Sequence, residues 1–81
     1  MPFFIYILKS LKDSELYIGQ TNSIEKRIIR HNAGQVSSTK NRRPLEIIHT
    51  EKFDTRKESM AREKYLKSLK SSQYILKNII E

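Results

Sequence analysis

The 81-residue chain contains no cysteine, and only two glycines and two prolines. Without cysteine there is no disulfide framework, no thiolate metal site and no thiol nucleophile, which fits a reducing compartment. So little glycine and proline, beside 37% hydrophobic residues, argues for a packed domain rather than a disordered chain. Long apolar runs are missing too. Pro2 to Leu8 ends at Lys9, too short to cross a bilayer, and no basic segment precedes it as a secretory signal requires. The expectation is one domain over residues 1–81, cytoplasmic, with no membrane partner. A Walker loop, a dinucleotide fingerprint, a His–Glu zinc motif and a serine elbow are all absent, so no organic cofactor is expected.

Acid is missing where it matters most. From Lys26 to Leu45 there is none, while six basic residues fall there: Lys26, Arg27, Arg30, Lys40, Arg42 and Arg43. With a net charge of +7, this favours a polyanionic partner, nucleic acid foremost. Lys26, Arg30, Lys40, Arg42 and Arg43 are candidates for phosphate contacts, which hold a nucleic acid without reading its sequence. Thr39 and Asn41 would add neutral donors.

The pattern along the chain is read as β-β-α-β-α-α, an α+β fold with a small three-stranded antiparallel sheet flanked by helices. Phe3–Lys9 and Glu15–Gln20 are rich in aromatic and β-branched residues and make a hairpin around "LKDS". A hairpin symmetric about Leu11 and Lys12 would place Tyr6 directly across from Tyr17. Gly19 would stand where strand gives way to loop, open to close approach by a ligand. Asn22 and Glu25 have the spacing of a capping pair for a helix ending near Gly34, with Ile24 and Ile28 on its buried stripe. A polar, basic loop runs to Pro44. Leu45–Phe53 is the third strand, with Ile47 the inward residue. Thr55 and Glu58 form a capping-box pair for a longer helix to about Leu69, with Ala61, Tyr65 and Leu69 as its apolar stripe. A last helix carries Ile75, Leu76, Ile79 and Ile80.

Taken singly, the candidate chemical groups have ordinary readings. Strand tyrosines such as Tyr6 and Tyr17 usually serve the core, with a hydroxyl kept wet. Arg27 and His31, one helical turn apart, would usually be solvated. An arginine fork can nevertheless hold a phosphate bidentately, and a histidine can move a proton near neutral pH. Glu63 has Lys67 four residues on, the spacing of a helical ion pair; it is also a hard oxygen donor suited to Mg²⁺ or Mn²⁺.

Together these pieces resemble the GIY-YIG nuclease family. "FIY" at Phe4–Tyr6 and "YIG" at Tyr17–Gly19 match its two name-giving motifs, "RIIRH" matches its helical arginine and histidine, and Glu63 falls where the family carries a metal-binding glutamate. Phe4 stands in place of the first motif glycine, and Asn78 loosely matches an asparagine on the last helix. The resemblance implies a metal-dependent endonuclease hydrolysing phosphodiester bonds, with DNA as substrate and a role in repair or in processing branched structures. It implies that Glu63 binds Mg²⁺ or Mn²⁺, that Tyr17 activates or positions water with Tyr6 beside it, that Arg27 neutralises charge on the phosphate, and that His31 assists proton transfer. The alternatives are a non-catalytic nucleic-acid-binding module and an accessory protein of a larger repair complex.

Overall fold

A computed structural model describes residues 2–80. Three strands, β1 (Phe3–Ser10), β2 (Leu16–Thr21) and β3 (Leu45–Phe53), form an antiparallel sheet in the order β2-β1-β3. Helix α1 (Ile24–Asn32) follows the hairpin, α2 (Arg56–Ser68) follows β3, and α3 (Ser72–Ile75) continues as a π-helical turn over Leu76–Ile80. This is the expected α+β order. Among the described residues, no helix is long and apolar enough to cross a membrane.

The central strand explains the layering. Alternate β1 residues point to opposite faces. Ile5 and Ile7 join Ile18, Leu66 and Ile75 in an aliphatic core beneath α2 and α3. Tyr6 and Leu8 join Leu45 on the other face, with Tyr17 and the α1 residue Ile28 packed against them. Two structural layers therefore cover the sheet, one on each side.

The hairpin register departs from expectation. Tyr6 pairs with Gly19 and Tyr17 pairs with Leu8, because the turn is centred between Lys12 and Asp13, one residue later than a hairpin symmetric about Leu11 and Lys12. The Ser10 hydroxyl accepts from the Lys12 and Asp13 amides, and Ser14 takes a left-handed φ of 63° before Glu15 rejoins the ladder. Gly19 accordingly lies inside β2, not at its end.

Three further expectations are corrected. Helix α1 begins after Ser23, which makes no side-chain cap, so Asn22 and Glu25 do not act as a capping pair. In β3 a bulge opposite Ile7 and Leu8 skips Ile48, which turns onto the aliphatic core while Ile47 stays 38% exposed. In α2 the buried residues are Ser59 and Leu66; Ala61 and Tyr65 face solvent, and Leu69 is half-buried. The Thr55–Glu58 capping box forms in full.

Candidate active site

The α1 face of the sheet holds a connected polar cluster. The Tyr6 side chain rises from the middle of the central strand and is 2% exposed. Its hydroxyl lies 3.2 Å from Arg27 Nε and 3.0 Å from His31 Nε2. The His31 Nδ1 lies 2.7 Å from the hydroxyl of Thr39, and both residues are fully buried. That hydroxyl in turn reaches the Val36 carbonyl at 3.4 Å.

One assignment of hydrogens runs along the whole chain. Arg27 Nε can only donate, so the Tyr6 oxygen accepts from it. Tyr6 O–H then donates to His31 Nε2, Nδ1–H donates to Thr39, and Thr39 O–H donates to Val36. This is an assignment from the network, and it requires a neutral imidazole. The electrostatics agree. Burial lowers the His31 pKa from its ordinary 6.5, and the nearby charges of Arg27 and Arg30 lower it further. Burial also raises the Tyr6 phenol above 10.0, outweighing the opposing bond from Arg27. Arg27 is held more firmly protonated, chiefly through its bond to Tyr6. At neutral pH the cluster is therefore a neutral phenol and a neutral imidazole holding one cation in place.

Gly19 makes this possible. A Cβ at position 19 would lie 2.4 Å from the Tyr6 hydroxyl and 2.6 Å from Cζ, closer than real carbon contacts allow. The close approach expected at this glycine is made by the Tyr6 phenol, which crosses the ladder over its own pairing partner.

Tyr17 completes the face. Half-buried on the edge strand, it stands edge-on to His31 at 4.9 Å between ring centroids and 6.2 Å from the Tyr6 ring. A two-residue shift of register keeps side chains on the same face, so the tyrosines meet diagonally instead of directly. Arg27 Nε is committed to Tyr6. Its two terminal nitrogens make no protein hydrogen bond among the described residues and present a fork to an anion.

Tyr6, Tyr17, Arg27 and His31 are thus brought together. Thr39 belongs with them as the partner that orients the imidazole. Sequence reasoning placed it among neutral nucleic-acid donors, and a threonine eight residues beyond a histidine carries no recognisable spacing signal. His31 is fully buried, held between the Tyr6 phenol and the Thr39 hydroxyl with the Tyr17 ring against it.

Glu63 comes from the opposite layer, on α2. Its carboxylate accepts from the Gln20 side-chain amide at 3.3 Å, one residue beyond Gly19 on the edge strand, and pairs with Lys67 at 3.2 Å. Gln20 is further held by the Ser59 hydroxyl at 3.0 Å. Among the described residues, no group of three or more His, Cys, Asp or Glu side chains could hold a metal together. A single half-buried carboxylate with an exposed, displaceable lysine partner still suits Mg²⁺ or Mn²⁺. Such ions keep several waters and accept one protein carboxylate plus substrate oxygens.

The other candidates divide. Lys26, Arg30, Lys40 and Arg43 are exposed. Arg42 pairs at the surface with Asp13 at 3.3 Å and Glu15 at 3.8 Å. Asn78 is exposed and donates to the Tyr74 carbonyl of its own helix.

Known proteins match most of the chain. A family model described as the GIY-YIG catalytic domain matches residues 2–76. A UPF0213 protein of Staphylococcus saprophyticus is 48% identical over 96% of this chain and 94% of its own length. The UPF0213 protein YazA of Bacillus subtilis is 45% identical over 82% of this chain and 67% of its own length. The solution NMR structure of a UPF0213 protein from Bacillus halodurans superposes with a TM-score of 0.58 at 31% identity, covering 95% of this chain and 81% of that one. With the tyrosines of the two name-giving motifs packed on one face of the β1–β2 hairpin and an arginine bonded to the first of them, the chain belongs to the GIY-YIG family.

Proposed function

We propose that the protein is a divalent-metal-dependent endonuclease that cuts DNA. The observation that carries this reading is the half-buried Arg27 guanidinium, fixed through Nε by a buried tyrosine and influenced by the neighbouring Tyr17 phenol. In that position Arg27 would bind a phosphate and stabilise the charge that builds on it during displacement, with little reorganisation at the moment of reaction. Tyr17, the phenol with access to solvent, would orient the attacking water. Tyr6 and His31 act as positioning residues, the first on Arg27 and the second on Tyr6.

Glu63 is the residue that would hold Mg²⁺ or Mn²⁺, which when bound supplies charge neutralisation at the phosphate and at the leaving oxygen. Lys67 would then release the carboxylate. The net charge of +7 supplies the general attraction to a polyanion.

One experiment separates this reading from its rivals. Labelled single-stranded, duplex, flapped and four-way DNA are incubated with Mn²⁺, Mg²⁺ or EDTA, using wild type, Arg27→Ala and Glu63→Gln. Metal-dependent cleavage by wild type, lost in both variants, is the expected result, and the preferred substrate reports whether branched structures are the target. If every substrate stays intact while wild type and both variants bind equally, the protein is a binding module. Weak binding with little salt dependence would instead make it an accessory of a larger repair complex.

A further inference from the structure

Beyond the tyrosine cluster, an open cavity of about 490 Å³ is lined by Lys12, Asn32, Lys40, Asn41, Arg43 and Pro44. Three of these residues are cations and none is acidic. Among the described residues, none of the three cations forms a salt bridge.

The cavity is built rather than incidental. Arg43 Nε donates to the Lys40 carbonyl at 2.9 Å, and its guanidinium lies against Gly34. A Cβ at position 34 would sit 2.9 Å from Arg43 Nη1, so the glycine that turns the chain at the end of α1, with φ of 78°, also seats the arginine. Lys12 reaches over from the β1–β2 turn and donates to the Asn41 carbonyl at 3.1 Å. Asn32 pins the far wall, exchanging two hydrogen bonds with the Leu45 backbone at 3.1 and 2.9 Å. Arg43 is anchored in the manner of Arg27, by Nε, with its terminal nitrogens left for an anion.

The cavity also lies on the same side of the sheet as the cluster. Helix α1 carries both Arg27 and, five residues on and about 7.5 Å along its axis, Asn32 of the cavity wall. Thr39, bonded to His31, immediately precedes Lys40. Arg42, adjacent in sequence, faces away and is neutralised by Asp13 and Glu15.

We propose that the Lys12–Lys40–Arg43 cavity is a second phosphate subsite, which grips the backbone of the nucleic-acid strand running past Arg27, and that Arg42 stands outside it. This rests on the nucleic-acid reading given above and adds which surface holds the strand.

The test is equilibrium binding of a short labelled DNA duplex in EDTA, so that it reads out whether or not the strand is cut. Salt is varied from about 50 to 200 mM, and the slope of log affinity against log salt is compared. Each lost phosphate contact lowers the steepness by about 0.9 for duplex DNA. The Lys12→Gln/Lys40→Gln double variant, altered only at exposed side chains, is expected to lose about two such steps, and adding Arg43→Gln a third. Arg42→Gln should leave the slope close to that of wild type. A double variant with an unchanged slope, or an Arg42→Gln protein that loses as much as the double variant, overturns the subsite while leaving the nuclease reading intact. A wild-type slope near zero overturns both.

Discussion

The two faces of the sheet are made by one strand and do different work. Toward α2 and α3, β1 contributes Ile5 and Ile7 to an aliphatic core closed by Ile18, Leu66 and Ile75. Toward α1 it contributes Tyr6, Leu8 and Ser10, and there the buried groups are a phenol, an imidazole and hydroxyls tied into a directional network. Among the described residues, no buried side-chain polar atom lacks a hydrogen-bond partner. The first face gains its stability from burial that any well-fitting hydrocarbon can supply. The second depends on complete satisfaction of its polar groups, which makes it specific and sensitive to single-atom changes. Concentrating apolar packing on one face leaves the other free to hold polar groups in fixed positions.

The comparison can be broken most easily at its ends. Leu66→Ala removes a fully buried side chain from the aliphatic face and should destabilise the protein by about 2–5 kcal/mol, read from urea unfolding. The aromatic signals of Tyr6 and Tyr17 in the folded fraction should be little changed; if they shift as much as those of the core methyl groups, the faces are not separable. Gly19→Ala attacks the other face. The added methyl collides with Tyr6, for an expected loss of about 1–3 kcal/mol, and displaces the phenol that holds Arg27. Its cleavage rate should fall by more than its stability explains. A Gly19→Ala protein as active as wild type would show that Tyr6 does not position Arg27.

The smallest effect is set by pH. Because the folded-state pKa of His31 is lowered, the unfolded chain binds the extra proton first as pH falls. The stability His31 contributes is therefore fully present above its unfolded value of 6.5 and is lost as pH drops below that value toward the folded one. The slope from this one group is at most about 1.4 kcal/mol per pH unit. Unfolding midpoints of wild type and His31→Gln, compared between pH 7.5 and pH 5 or so, should converge as pH falls. Parallel curves would mean that the imidazole is not held neutral.

The sequence carried the element order, the capping box of α2 and the meeting of the two tyrosines with Arg27 and His31. These rest on local signals: Thr55 and Glu58 three residues apart, β-branched runs, and motifs that fall on the hairpin and its following helix. What it hid depends on contacts across the fold. The hairpin register was set by Ser10 accepting two turn amides, and the face of Tyr17 survived only because a slip of two residues is even. The bulge at Ile48 breaks the alternation that singled out Ile47. The inward stripe of α2 runs through buried Ser59 and Leu66 and half-buried Arg62 and Glu63, and its polar members have their partners Gln20 and Glu51 on strands, so apolar spacing pointed to Tyr65 instead. Thr39 could be recognised only once the loop after α1 was seen to fold back onto His31.

The central claim is that Arg27, held by the α1-face cluster, serves cleavage and contributes little to stability. It is tested most directly by measuring, on one Arg27→Ala preparation, both the single-turnover rate of metal-dependent DNA cleavage and the free energy of unfolding. The account predicts a rate lower by a factor of about 100 or more, with a stability loss of about 1.5–3 kcal/mol for one hydrogen bond to a charged group. Cleavage that persists at the wild-type rate, or that disappears only because the protein has unfolded, would contradict it.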